Sequence, residues 1–361
     1  MRRIRIDELK SGMIVAHTIM DCDGRILLRS GIQLNENYIK KLSELGLNSV
    51  YIRDSLDGVE VRDVISDQTR LEAIRIIKNS FQQLEKQHKL NIRLVQATVN
   101  NIIDELLSDI NVLVNFNDIR TFDEYTFGHS VNVAVLAIMT GITLSYNDLQ
   151  LNELGIGAIL HDIGKTRIDK SLLTKNENLT KEEFNEIKRH TYYGFEILRQ
   201  YPDVSLMSAH VALQHHERWD GNGYPRRLAG DNIIEYARIV TVCDVYDALV
   251  SDRPYRAAYT VNQALNILKR MSGIYLDPNC VDALISNIAV FPVGSVVELS
   301  TGELGVVVDV NKATPSRPIV RLIFDRYGKR LQHPYEVDLS KYSTVIVTKT
   351  LQEEAIQKLL N

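Results

Sequence analysis

The sequence predicts a multidomain chain: an all-α helical bundle as the core domain, a small N-terminal α+β module and a small C-terminal β domain. Three observations predict it. The 361 residues exceed what one ordinary hydrophobic core organises. The apolar pattern changes twice, from short alternating runs to spacings of three and four after residue 60, and back to alternation near residue 291. Five of the nine histidines and two aspartates lie in short apolar helical contexts, namely His129, His161-Asp162, His190, His215-His216 and Asp244. Their intervals of about thirty residues suit one polar group per helix or helix end, converging on a shared interior site.

Residues 1–60 form the α+β module. Apolar stretches at Met13–Ile19 and Arg25–Leu28 flank Asp21-Cys22-Asp23-Gly24, and Asp-Gly is a hairpin signal. Asn35 caps a helix with Tyr38, Ile39, Leu42 and Leu45 on one face, stopped by Gly46, and a strand follows at Ser49–Ile52. Residues 61–116 form a helical linker of one long helix or two, opened by a Thr69-x-x-Glu72 capping box. Ile74, Ile77, Phe81, Leu84, His88, Asn91, Val95 and Thr98 give it a heptad-like seam interrupted by polar residues. That seam packs either on its own domain or on a second copy as a dimer coil. Residues 117–290 are helical and carry the histidine constellation. Residues 291–361 are β-rich, with strands at Val296–Leu299, Leu304–Val310, Ile319–Phe324 and Thr344–Thr348 between turn clusters, and a short closing helix after Leu351.

Composition narrows the function classes. With 42 Lys+Arg against 46 Asp+Glu the formal charge is −4, so no global basic field recruits nucleic acid. Cys22, Cys243 and Cys280 are too few and scattered for a disulfide framework and read as reduced thiols. The start Met1-Arg2-Arg3-Ile4-Arg5-Ile6-Asp7 returns to charge too soon for a signal peptide. The run Val131–Leu144 contains Asn132 and Gly141 and is too short to span a bilayer. A cytoplasmic protein without membrane insertion is expected.

Imidazole and carboxylate are ligands for hard-to-borderline divalent metals, and no thiolate is interleaved to suggest a structural zinc knot. Adjacent helical residues point about 100° apart, so His161 and Asp162 can share one cavity only near a helix end or with an offset target. Asp162, with two oxygens, is the expected bridge between two cations. His161 and His129 complete one shell and Asp244 closes it, while His190 and His215 suit a second ion. His216 points to a further metal or to a phosphate. Asp247, one turn after Asp244, either orients it or touches substrate. Lys165 shares the face of Asp162 and reaches a phosphate or a departing oxygen, with Gly164 leaving the approach uncrowded. Two ions about 3.5–4 Å apart and a bridging hydroxide suit in-line phosphoryl chemistry without a protein nucleophile.

Blander readings stand beside these. A lone helical histidine is more often a core or surface residue, which is the reading for His17, His88, His210 and His333. Gly221-Asn222-Gly223-Tyr224-Pro225 is either a tight turn or a loop whose glycines, Gly223 included, let a phosphate or base approach beside Trp219 and Tyr224. Arg253 and Arg256 are surface salt links or phosphate clamps.

The stretches His161-Asp162-Ile163-Gly164-Lys165 and His215-His216-Glu217-Arg218-Trp219-Asp220-Gly221-Asn222-Gly223-Tyr224-Pro225 resemble the two signatures of bacterial HD-GYP phosphodiesterases. The resemblance continues through Asp244-Val245-Tyr246-Asp247 and Asp252-Arg253-Pro254-Tyr255-Arg256 and covers about residues 117–290. It implies an HD-type helical domain holding iron, manganese or similar ions, and hydrolysis of cyclic di-GMP to the linear dinucleotide pGpG and onward to GMP. Carried over, the metal ligands are His129, His161, Asp162, His190, His215, His216 and Asp244. Lys165, Tyr224, Asp247, Arg253 and Arg256 contact substrate or assist the leaving group.

Two departures stand out. Members with three metals have a glutamate four residues before the first ligand histidine, where this chain has Tyr125 and places Glu124 one residue off, so two ions are expected. Asp169 stands where proline is usual, and a changed local turn is expected without a change in chemistry. The substrate expected is cyclic di-GMP, with a homodimer through the helical linker and a signal entering through residues 1–60 or a protein partner. The alternatives are an HD-type phosphohydrolase for another cyclic dinucleotide or nucleotide, a non-hydrolytic cyclic dinucleotide-binding regulator, and a chain whose flanking modules carry the function.

Overall fold

The computed structural model of the chain describes residues 2–16, 18–20, 26–45, 47, 49–53, 64–108, 113–114, 125–175, 177, 179–251, 258–351 and 355–356. The chain divides into two compact units, Met1–Val64 with Asp109–Tyr125 and Ile288–Asn361 in one, and Ile65–Ser108 with Thr126–Asn287 in the other.

In the first unit, strands β1 (Arg2–Arg5), β2 (Ile14–Val15) and β5 (Ser49–Arg53) form an antiparallel sheet of order β1-β5-β2. β3 (Ile19–Met20) pairs with β4 (Ile26–Leu28), on either side of the expected Asp21–Gly24 turn, which lies outside the described residues. Sequence reading gave no strand at the N-terminus, although Arg-Ile-Arg-Ile alternates with the strand period and buries Ile4 and Ile6. Asn35 caps helix α1 (Glu36–Glu44), its side chain accepting from the Tyr38 N–H, as expected. The buried side is Leu42 with Ile39, whereas Tyr38 and Leu45 are exposed.

The C-terminal part is a five-stranded antiparallel sheet of order β10-β6-β7-β8-β9, from β6 (Val296–Leu299), β7 (Leu304–Asp309), β8 (Ile319–Phe324), β9 (Arg330–Asp338) and β10 (Val347–Thr350). Two clusters lie on its opposite faces. Val296, Val306 and Ile323 belong to one, and Val297, Val307, Val320 and Leu322 to the other. Burial on both faces explains why the inner strands read as continuous apolar runs. β9 was not anticipated: it is an exposed edge carrying Pro334, a residue tolerated only at edges, so its pattern lacks an apolar face. The closing helix after Leu351 falls largely outside the described residues, with Ile356 buried in the first cluster.

The second unit is helical: α2 (Asp67–Gln87), α3 (Ile92–Ser108), α4 (Tyr125–Thr143), α5 (Asp148–Ile159), α6 (Lys170–Leu173), α7 (Lys181–Lys188), α8 (His190–Leu198), α9 (Leu206–Gln214), α10 (Glu235–Val250), α11 (Val261–Met271) and α12 (Pro278–Ile285). The α2 cap is Ser66, whose hydroxyl accepts from the Thr69 N–H, so the expected Thr69–Glu72 box is displaced by one turn. His88 ends α2 in the left-handed conformation (φ 54°), dividing the segment into two helices. Ile74, Ile77, Phe81 and Leu84 of α2 and Val95 and Thr98 of α3 are buried.

Helix α4 is buried on every side from Gly128 to Gly141. Its apolar run is thus that of a central core helix. Among the described residues no helix is long and apolar enough to cross a membrane. Around it α5 packs on α9, and α8 packs on α9 and on a 3-10 helix at Ile163–Arg167. Asp169, which stands where the resemblance leads to proline, caps α6 by accepting from the Ser171 N–H at 2.8 Å.

Candidate metal centre

Helix α5 starts at a capping box between Asn147 and Gln150 and stops at Leu160. The chain then passes through His161 and Asp162 into the 3-10 helix. This change of winding lets two adjacent side chains enter one cavity. Gly164 sits where that 3-10 helix meets α8: a Cβ there would overlap the His190 carbonyl oxygen and lie 2.5 Å from the Gly194 nitrogen. Gly164 was expected to leave room for substrate; instead it allows two backbones to touch, which sets His190 against Asp162.

His190 opens α8, His215 ends α9, and Asp244 and Asp247 lie on α10, one turn apart. Two sets of ligand atoms result, each within 4.8 Å of one another: His129, His161 and Asp162, and His190, His215 and His216. Asp162 faces both. Its Oδ2 is 3.4 Å from His161 Nε2, and its Oδ1 is 3.5 Å from His190 Nε2 and 3.8 Å from His215 Nε2.

The tautomers follow from the backbone. Nδ1 of His161 meets the Ala158 carbonyl at 2.7 Å, Nδ1 of His190 meets that of Ile187 at 2.7 Å, and Nδ1 of His215 meets that of Ala212 at 3.0 Å. A carbonyl only accepts, so each Nδ1 donates and each Nε2 turns a lone pair into the cavity. His190 Nε2 and His215 Nε2 face each other at 3.3 Å. His161 Nε2 and Asp162 Oδ1 are buried without a hydrogen-bond partner. Converging lone pairs with no donor among them repel and are poorly solvated, and a cation reverses the sign of both effects. The residues therefore fit a divalent metal.

Burial disfavours the charged form of His215, and the neighbouring imidazoles add to it, holding its pKa well below the usual value. His216 is likewise lowered by burial, to about 3, against an opposing pull from Asp244. Burial would raise Asp162, yet Lys165 and His161 outweigh it and hold the carboxyl far below the carboxylate range. Lys165 Nζ lies 2.5 Å from Asp162 Oδ2 with its side chain 32% exposed, so the ammonium sits at the mouth of the cavity.

On the opposite wall His129 Nε2 is 3.2 Å from Asp244 Oδ1, and His129 Nδ1 is 2.6 Å from Asp247 Oδ2. Burial opposes a charged His129, but hydrogen bonds to Asp244 and Asp247 prevail and raise its pKa to about 9. Asp247 is fully buried, and its Oδ1 accepts from Asn132 Nδ2 at 2.9 Å. Sequence reading has Asp247 orient Asp244 or touch substrate; in the structure it holds His129, a different member of the ligand set.

The His215–Pro225 loop closes over the histidine pair. Gly223 is buried against the chain at His216–Arg218, where a Cβ would lie 2.6 Å from the His216 oxygen. The missing side chain lets the loop pack on its own backbone at this point. The Tyr224 ring stacks on His216 at 4.7 Å, and burial pushes its phenol well above the usual pKa. Trp219 packs under the Arg238 guanidinium, a structural placement. Arg253, Arg256 and Glu124 lie outside the described residues, as does the side chain of Tyr125.

Sequence reading did not single out three buried residues. Glu217 accepts from the Arg226 and Leu228 N–H groups at 2.7 and 3.0 Å and staples the loop. Gln214 accepts from Ile234 N–H at the start of α10, and Asn132 holds Asp247. For Asn132, a lone polar residue inside an apolar run, that pattern was the available signal. Of the histidines set aside, His88 caps α2, His210 packs on Phe195, His333 lies on the exposed β9, and His17 is outside the described residues.

The HD domain family profile matches residues 76–280, and a KOW domain associated with HD domain matches residues 296–359. Cyclic di-GMP phosphodiesterase PA4108 of Pseudomonas aeruginosa is 35% identical over 249 residues, 68% of this chain and 60% of that protein. The 3'3'-cGAMP-specific phosphodiesterase 3 of Vibrio cholerae is 29% identical over 276 residues, 76% of this chain and 54% of that protein. The chain thus spans somewhat over half the length of these relatives. Bd1817, a HDG"Y"P protein from Bdellovibrio bacteriovorus, shares the fold, with a TM-score of 0.50 at 18% identity over 78% of this chain and 97% of that one. With the family profile running over more than half of its length and both signature stretches lining one cavity, the chain belongs to the HD-GYP branch of the HD domain family.

Proposed function

We propose that the protein is a metal-dependent phosphodiesterase that hydrolyses cyclic di-GMP, with linear pGpG or GMP as the product. The observation that carries this reading is the set of histidine Nε2 lone pairs converging with Asp162 in a buried cavity, where His161 Nε2 and Asp162 Oδ1 have no hydrogen-bond donor. His129, His161, Asp162 and Asp244 would hold one ion, and His190, His215 and His216 a second, with Asp162 shared. Iron or manganese suits this nitrogen and oxygen set, and Tyr125 in place of a glutamate favours two ions over three. When bound, such ions supply a nucleophilic water of lowered pKa and neutralise charge on the phosphoryl oxygens.

The remaining steps belong to the chain's own groups. Lys165, at the cavity mouth, donates to the departing oxygen or a non-bridging oxygen as charge develops. Tyr224, kept as a neutral phenol, is a hydrogen-bond donor to phosphate, and the stapled loop holds it in place. Arg253 and Arg256 are proposed phosphate clamps. Lys165→Ala is expected to lower kcat by about a hundredfold while metal content falls little, because the ammonium acts on transition-state charge. Equal losses of turnover and bound metal would remove that role.

His129 ties loading to protons. With its pKa near 9 in the metal-free protein, it is charged at pH 7.5, and a cation must displace that proton. Affinity should therefore rise with pH up to about 9. Manganese titration by calorimetry in buffers of different ionisation enthalpy should show about one proton released at pH 7.5. No release would contradict ligation by His129.

A second reading, a preference for the mixed guanine–adenine ring, is favoured by the named specificity of the Vibrio relative. Product analysis with metal-loaded protein decides between them. Cyclic di-GMP is expected to be the better substrate by kcat/KM; the opposite order supports the second reading, and hydrolysis of neither ring overturns both.

A further inference from the structure

Four hydrogen-bonding groups run in series from the first turn of α2 to His129. Arg70 Nη1 donates to Asn132 Oδ1 at 2.6 Å, and Asn132 Nδ2 donates to Asp247 Oδ1 at 2.9 Å. Asp247 Oδ2 meets His129 Nδ1 at 2.6 Å, and His129 Nε2 faces Asp244 at 3.2 Å. Asn132 is 4% exposed and Asp247 0%, so neither has water as an alternative partner.

The series has only one sense. A guanidinium has donors and no acceptor, whereas an ionised carboxylate accepts and has no donor. An amide held between them must turn its oxygen to Arg70 and its nitrogen to Asp247; reversed, it would set oxygen against carboxylate and nitrogen against guanidinium. Asp247, oriented in this way, accepts from Nδ1 of His129 and so leaves Nε2 as the atom facing the cavity. Without Arg70, the Asp247 carboxylate alone selects the Asn132 orientation, and the amide oxygen loses its charged donor. Without the Asn132 donor, Asp247 is a buried carboxylate with one oxygen less well held.

We propose that Arg70 and Asn132 are positioning residues that fix the tautomer and direction of His129 through Asp247, and thereby set metal affinity at the His129 end of the centre. The proposal rests on the reading that His129 is a ligand. It involves residues outside both signature stretches, with Arg70 in the first turn of α2. A change at the start of α2 would therefore reach the centre through this series.

The test is manganese binding to the metal-free full-length chain, by titration against a competing chelator, with melting of the metal-free protein measured in parallel. Arg70→Met is expected to weaken binding about ten- to a hundredfold, the range for groups that orient a ligand. Arg70→Lys, which keeps a donor, should recover most of it. In an Asn132→Leu background Arg70→Met should cause no further loss, because the two act in one series. Wild-type affinity in Arg70→Met, the same loss in Arg70→Lys, or multiplying losses in the double variant would each overturn the proposal. If Asn132→Leu fails to fold, the Arg70 pair alone decides. His129→Ala separates the two levels. If it leaves affinity unchanged, the ligand assignment has failed; if it weakens binding while Arg70→Met does not, only the positioning role has.

Discussion

Asp162→Asn is expected to abolish hydrolysis, by a thousandfold or more, and to deplete bound metal at both halves of the centre. The size follows from position: among the described residues Asp162 is the carboxylate whose two oxygens approach both histidine sets, at 3.4 Å from His161 and 3.5 Å from His190. Asparagine keeps the volume and removes the charge. It also places an N–H₂ donor where a bound cation requires an acceptor. Removal of a preorganised charge-stabilising group alone costs on the order of a hundred- to a thousandfold, and lost ions add to that. Metal content and turnover measured on the same sample check it. Retention of both at near wild-type levels would show that Asp162 does not bridge. Lys165 complicates the variant in a useful way: its partner disappears, so a further Lys165→Ala change should add less than it does alone.

Gly164→Ala should give the largest loss of stability for a single methyl group. The added carbon would overlap the His190 carbonyl oxygen and approach the Gly194 nitrogen at 2.5 Å and the His190 carbonyl carbon at 2.8 Å. All three are backbone atoms, so no rotamer change relieves the contact and α8 must move away from the 3-10 helix. Overpacking of this kind costs about 3 kcal/mol, which corresponds to a fall in Tm of roughly 5–10 °C for a domain of this size. Because His190 opens the displaced helix, activity should fall as well, by about a hundredfold for a misplacement near 1 Å. Gly194→Ala is the control: its nearest contact is the Ala212 methyl at 3.1 Å, and a smaller loss is expected. Equal melting temperatures for Gly164→Ala and wild type would mean that the two backbones do not meet as described.

The centre was legible in the sequence because its residues are of a type that buried helices avoid without a partner, and because four of them come as two dipeptides. His161-Asp162 falls where α5 gives way to a 3-10 helix, the helix end that a shared cavity requires. The supporting residues were not legible. Asn132 stood in an apolar run and counted only against a membrane span, while Arg70 lies 62 positions away from it in the chain. Asp247 could be placed on the Asp244 face, but its choice of partner depends on how α4 and α10 pack. Gly164 and Gly223 were noticed for their smallness. That smallness serves backbone packing, a contact between segments that one-dimensional spacing does not encode. In the fold, strands with a buried face were found, whereas β9, an exposed edge with Pro334, gave no alternation to read. The displaced α2 cap has the same origin: Ser66 and Thr69 both offer a hydroxyl three residues before a polar partner, and only packing of the first turn selects between them.

The proposed hydrolysis depends most on cations held by His129, His161, Asp162, His190, His215, His216 and Asp244. The direct measurement is anaerobic metal quantification of freshly purified protein, with cyclic di-GMP turnover followed on the same sample before and after chelation. Two iron or manganese ions per chain are expected, with activity lost on chelation and restored by adding either metal back. Full turnover by protein stripped of metal, or a chain that binds no divalent ion with those seven residues intact, would contradict it.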